Sequence, residues 1–224
     1  MASSPTRKKT LEYVLRLVIL FGGLVIAHLG VTLFILSDLG ADPFNVLVQG
    51  LKNVVSPALP WVSHGTVHMA VCFLIIVILL VVDRSYIKAG TVVCMFCGGP
   101  IIDFFTWILS GFGIGQAALP IKIMVLVAGC VILAFGMTIV IRSEAGTGPN
   151  DLVAVVISDK LKKRFGIVRV IVDVCFVVVG FLMGGIFGVG TVICAVLVGP
   201  VADLWMPLSD KIVKGILRSA LRQK

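Results

Sequence analysis

The sequence predicts an all-α polytopic membrane protein. Six transmembrane helices form two inverted-topology repeats of three, with short amphipathic helices between them. Three observations carry that prediction. Of the 224 residues, 59% are hydrophobic and only 13% charged, with a mean hydropathy of +1.15; a soluble domain carries roughly 25% charged residues to cover its surface. The apolar residues gather into six runs near the ~20 residues a helix needs to cross a bilayer. Finally, the first half of the chain reads again in the second. The whole of 1–224 is expected to be one membrane domain, with repeats at 11–112 and 120–206 and an amphipathic tail at 207–224.

The first span is 13–36, preceded by Arg7, Lys8 and Lys9. It exceeds the roughly 7–15 apolar residues of a signal peptide and no small-x-small site ends it, so it is expected to remain in the protein. The remaining spans are 64–82, 89–111, 121–141, 166–185 and 189–205. Two apolar stretches are too short to cross: 43–55 (PFNVLVQGLKNVV) and 149–163 (PNDLVAVVISDKLKK). Each opens on Pro, which suits the first helical position, and alternates apolar with polar residues at helical spacing. Both are predicted to be amphipathic helices at an interface or partly inside the bilayer. The tail is a third, with Lys211, Lys214, Arg218 and Arg222 on its polar side. The glycine-rich 184–191 reads as a tight reversal between the last two spans.

Charge sets the topology. With the N-terminus inside, fifteen of the nineteen Lys and Arg residues fall in cytoplasmic segments, while Lys52 and Lys122 are left outside and Arg16 and Arg169 within span ends. That asymmetry is the positive-inside pattern, and it puts both termini in the cytoplasm. The formal charge of +8 does not point to nucleic acid, because the basic residues interrupt apolar runs without forming a basic face.

The repeat is read from two offsets. GVTLFILSDLGADPFN (30–45) aligns with GMTIVIRSEAGTGPND (136–151) at an offset of 106, and Gly90-Thr91-Val92, Gly99-Pro100 and Asp103 align with Gly190-Thr191-Val192, Gly199-Pro200 and Asp203 at an offset of 100. Each half then holds one span, a short helix and two more spans. Three is odd, so the second half must enter the membrane in the opposite sense, an arrangement common among secondary transporters.

The candidate functional residues follow from these elements. In the repeated S-[DE]-x-G-x-x-P turn, Ser37, Asp42, Pro43 and Asn45 stand in the first half and Ser143, Glu144, Pro149, Asn150 and Asp151 in the second. One reading is structural: Gly makes the turn and Pro starts the helix. The other is a binding site, in which free amides and the dipole at the helix N-terminus face a polar or anionic group. Charges inside spans are costly, on the order of 3 kcal/mol at mid-membrane, unless partnered. Matching depths pair His68 with Asp103 and Arg169 with Asp203, while Asp173, one turn beyond Arg169, could share the guanidinium. Those pairs would either clip spans together or relay protons or ions.

Catalysis is not expected. Asp103 and Asp203 differ in level by roughly 12 Å in a ~30 Å core at 1.5 Å rise per residue, too far for carboxylates that must share a proton. The chain lacks H-E-x-x-H, a Walker loop and G-x-S-x-G. The six cysteines all lie in apolar stretches and are expected as buried free thiols. Cys94 and Cys97 make one C-x-x-C with no second pair at zinc spacing, so no cofactor or metal is expected.

Taken together, GADPFNVLVQGL (40–51), GTGPNDLV (146–153), GGIFGVGTVICAVLVGP (184–200) and the two Gly-Pro-x-x-Asp span ends resemble the bacterial YczE/YyaS/YitT family of integral membrane proteins, most closely its YczE branch. The resemblance runs from about Leu11 to Trp205 and implies a multi-span helical fold in the bacterial cytoplasmic membrane; it carries no residue roles to transfer. Two functions remain open. One is a small-molecule or ion permease; the other is a non-transporting accessory or regulatory protein that acts on a membrane-associated complex. Partners are accordingly the bilayer, a small solute or ion, and a second copy of the chain or another membrane protein.

Overall fold

A computed structural model describes residues 5–62 and 64–222; the expectations for the side chains of Arg7, Lys8 and Arg222, and for Lys224, lie outside the described residues. Eight α-helices account for nearly all of it: α1 Pro5–Leu36, α2 Pro43–Val55, α3 His64–Asp83, α4 Ala89–Leu109, α5 Leu119–Arg142, α6 Pro149–Leu161, α7 Phe165–Leu182 and α8 Val189–Arg222. Six of these, all but α2 and α6, are long and apolar enough to cross a membrane. Among the described residues there is no strand.

The antiparallel pair α1 and α5 forms the centre. Gly23, Ala27 and Gly30 face Gly129, Leu133 and Gly136, so closely that a Cβ on Gly30 or Gly136 would overlap the opposite backbone. In lipid the hydrophobic effect does not drive helices together, and small residues allow the backbone approach on which van der Waals packing depends. Phe34, Leu126, Cys130, Ala134 and Met137 continue this seam into α8 through Val198 and Ala202.

Around it, α2 lies along α7, where Gly50 meets Gly180 backbone to backbone, and α7 lies along α8 through Gly166 and Gly199. α4 rests on α1, and α3 lies against α2 and α6 instead of alongside α4. The outer faces of α3 and α4 are strongly apolar and exposed, with Phe73, Val81, Phe96, Phe104 and Trp107 prominent, as suits spans facing lipid.

Two expectations need correction. The tail is not a separate helix, because α8 runs without a break through Pro200 and Pro207 to Arg222. Each proline removes one backbone hydrogen bond, but packing beyond Pro207 holds the helix straight on: Val213 and Leu217 bury against Ile19 and Ile139, and the Ser209 and Thr138 hydroxyls share a 2.7 Å hydrogen bond. The cysteines are free, yet Cys175 is exposed on the outer face of α7 and Cys97 half-buried.

Candidate functional site: a buried charge cluster between two short helices

The two repeated turns fold alike. Asp38 and Glu144 take left-handed backbone at φ 53° and 57°, and Gly40 and Gly146 follow at φ 138° and 139°, a region open to glycine without steric cost. Ser37 Oγ donates to Phe34 O and Ser143 Oγ to Val140 O, both at 2.6 Å. The next carbonyl is used in the same way in each: Gly190 N donates to Leu39 O at 2.8 Å and Gly90 N to Ala145 O at 2.9 Å. Pro43 and Pro149 then open α2 and α6, both buried. Because α1 and α5 are antiparallel, the turns lie at opposite ends of the bundle.

The side chains that hold the turns differ. Arg16 on α1 donates to Ser143 O at 3.0 Å and pairs with Glu144 at 2.9 Å, while Lys88 Nζ donates to Glu144 O at 2.8 Å. At the other end the corresponding pair is Lys122 on α5 with Asp38, at 3.9 Å. Each turn borders a cavity. The one beside the first turn is about 630 Å³ and reaches Asp42, Asn45 and Gln49; the one beside the second is about 350 Å³, is lined by Lys88, Glu144 and Thr147, and ends at Leu152 and Val155.

Between the turns, α6 and α7 bring charges together. Arg169 on α7 is 8% exposed and Asp173, one turn on, is 0% exposed. Arg169 Nε donates to Asp173 Oδ2 at 2.9 Å, and Arg169 Nη1 donates to Asp151 Oδ1 at the start of α6, which also accepts from Asn150 Nδ2 at 3.1 Å. Asp42 caps α2, accepting from the backbone N–H of Asn45 at 3.2 Å and from its side-chain amide. It lines the larger cavity and lies within electrostatic range of Asp173.

The structure gathers Asp42, Asn45, Asn150, Asp151, Arg169 and Asp173, but not in the expected pairs. Arg169 takes Asp151 and Asp173, whereas Asp203 accepts the Gly166 N–H at 2.8 Å and so satisfies the first turn of α7. Depth fixed the level of Arg169 correctly but not its rotation, and rotation turns it toward α6. The His68–Asp103 pair is also absent among the described residues. α3 does not run along α4, Asp103 is exposed, and the His68 ring instead meets the edge of Phe44 at a centroid distance of 5.2 Å. Ser37 and Ser143 are buried turn fasteners, and Glu144 is held by Arg16.

Two residues escaped the sequence reading. Arg16 was passed over as a span-edge charge, although the offset of 106 that matches Asp38 with Glu144 also matches Arg16 with Lys122. His28 sits mid-helix in α1; its Nδ1 donates to Leu24 O at 2.8 Å, since a carbonyl can only accept. Its Nε2 faces α4 at Gly98, where a Cβ would come within 2.7 Å. A lone histidine in an apolar run carries no spacing signal.

Comparison with known proteins gives a consistent result. A family of unknown function, DUF6198, matches residues 14–207. The chain is similar to the uncharacterized membrane protein YczE of Bacillus subtilis (27% identity, 90% of each chain) and to the uncharacterized protein YyaS of the same organism (23% identity, 84% of this chain and 91% of YyaS). An uncharacterized Haemophilus influenzae protein is 27% identical over 84% of this chain and 82% of its own length. No solved structure matches significantly.

Proposed function

From the premise that the chain belongs to the family of unknown function DUF6198, we propose that it is a secondary permease for a small polar solute or ion in the bacterial cytoplasmic membrane. Its two halves are inverted repeats and both termini are cytoplasmic. The observation that carries this reading is the buried cluster of Asp151, Arg169 and Asp173, which ties the start of the non-spanning α6 to α7, with the other non-spanning helix, α2, packed along the same α7 and its cap Asp42 in electrostatic range. Ionisable groups inside a membrane are costly and mark pathways more often than scaffolds, and short helices that end at mid-membrane are a recurrent way to build such a site.

Alternating access follows from the two turns. Arg16 with Glu144 closes one end; Lys122 with Asp38 is the matching lock at the other, drawn in when the first releases. The solute enters beside Asn45, in the cavity that Asp42 borders, and leaves past Thr147 after the turns exchange roles.

The test is electrogenic and tracer flux in proteoliposomes across pools of cations, anions, sugars and amino acids. Flux in one pool, reduced at least tenfold by Asn45→Ala or Asn150→Ala in protein that still folds, is the expected result. A packed interior with no flux in any pool and a stably co-purifying membrane complex would instead establish the accessory function. The inversion has its own check: single cysteines at Asp38 and Glu144 should react with an impermeant maleimide from opposite sides of the membrane.

A further inference from the structure

We propose that Asp173 is a proton-binding carboxylate that couples this site to the proton gradient. The inference rests on the permease reading and names its coupling ion.

Two facts about the side chain point there. Asp173 is wholly buried, and among the described residues only one of its oxygens is used: Oδ2 accepts from Arg169 Nε at 2.9 Å, while Oδ1 has no hydrogen-bond partner there. A carboxylate oxygen buried without a donor is expensive as an anion and is satisfied by taking a proton. Arg169 is a single cation shared between Asp173 and Asp151, and Asp42 on α2 lies within electrostatic range of Asp173. Cys194 on α8 also lies in range of Asp173, and His28 on α1, Cys72 on α3 and Cys94 on α4 lie in range of Asp151.

The step is simple. From the side open beside Asp42, Oδ1 takes one proton and Asp173 becomes a neutral acid, leaving Arg169 paired with Asp151. After the turns exchange roles, the same O–H bond breaks, the electron pair stays on Oδ1, and the proton leaves on the other side. Loading and unloading thus alter the net charge of the cluster by one, and that charge biases which end opens.

The experiment needs no solute. Infrared titration of the reconstituted protein should show a protonated carboxylic-acid carbonyl band that appears as pH falls, is absent in Asp173→Asn and is retained in Asp103→Asn, which removes an exposed carboxylate outside the site. Asp173→Glu supplies the control should the Asn variant fold poorly; its longer carboxyl group should move the midpoint by about one pH unit or more. A band unchanged in Asp173→Asn, a midpoint unmoved in Asp173→Glu, or a band displaced by sodium or potassium at constant pH would each overturn the assignment. If the band behaves as expected but no solute pool shows flux, the permease reading fails and the proton site stands. If solute flux occurs and is indifferent to pH and to Asp173→Asn, the coupling fails and the permease stands.

Discussion

The halves of this protein share their backbone more closely than their side chains. The turn after α1 and the turn after α5 match in dihedral angles, in the serine fastener and in the amide that caps them. Yet one turn is held by Arg16 and Lys88 within 3.0 Å and the other by Lys122 at 3.9 Å. The cluster shows the same divergence. At the offsets of 106 and 101, Asp151, Arg169 and Asp173 correspond to Asn45, His68 and Cys72, so one half carries ionic side chains where the other carries neutral or weakly basic ones. The shared backbone repeats the turn at each end, and the unequal side chains decide how firmly each end is held and where charge is placed.

The comparison can be broken most forcefully at the cluster. Arg169→Ala leaves Asp151 and Asp173 buried without their cation and should cost about 3–5 kcal/mol, whereas Cys72→Ala, at the position that matches Asp173, removes a small buried side chain and should cost about 1–2 kcal/mol. Denaturant titration in detergent measures both, and equal losses would mean that the two halves handle charge alike. The turns come next. Gly40→Ala and Gly146→Ala each force a side chain into positive φ at about 1–3 kcal/mol. Gly146→Ala should be the worse, because its Cβ would come within 2.4 Å of Thr91 N, while the nearest backbone atom to a Cβ on Gly40, Gly188 N, is at 2.9 Å.

How much of this was legible depended on what kind of signal each feature sends. Span lengths and short helices were readable because the solvent sets them: about 20 apolar residues or fewer, and a proline at the start. The turns were readable because S-[DE]-x-G-x-x-P recurs and its glycines have one backbone use. The partners of Arg169 were not, since sequence gives depth along a helix but not the angle at which neighbours meet it. The tail at 207–224 reads as a separate helix for a related reason: the contacts of Val213 and Leu217 with Ile19 and Ile139 that carry α8 through Pro207 are far away in sequence. Arg16 and Glu144, 128 residues apart, were in fact encoded in the repeat and could have been read from its offset.

The unequal locks give a kinetic prediction of smaller size. Arg16→Gln removes a half-buried ion pair worth about 1 kcal/mol, roughly fivefold in population. Maleimide should therefore react about fivefold faster with a single cysteine placed at Thr147. Lys122→Gln removes a 3.9 Å contact and should change the reactivity of a cysteine at Ala41 less than about twofold. Equal changes would show that distance in this one conformation is a poor guide to which end is locked.

The smallest effect is the sharpest comparison, because it should differ in sign. Thr191 and Thr91 occupy matching places at the starts of α8 and α4. Thr191 Oγ1 donates to Ala41 O and accepts from Gly188 N at 3.1 Å; Thr91 Oγ1 and Thr147 Oγ1 are buried with no partner among the described residues. Thr191→Val should then cost about 1–2 kcal/mol by leaving those groups unpaired, whereas Thr91→Val removes an unsatisfied hydroxyl and should be neutral or slightly stabilising. If the ends exchange roles, Thr91 acquires in the other conformation the bond that Thr191 makes here, donating to Thr147 O. Thr91→Val then favours the present conformation, raising the melting temperature while slowing the reaction of a cysteine at residue 147. A gain in stability with no change in that reactivity would mean that the second turn never opens by this route.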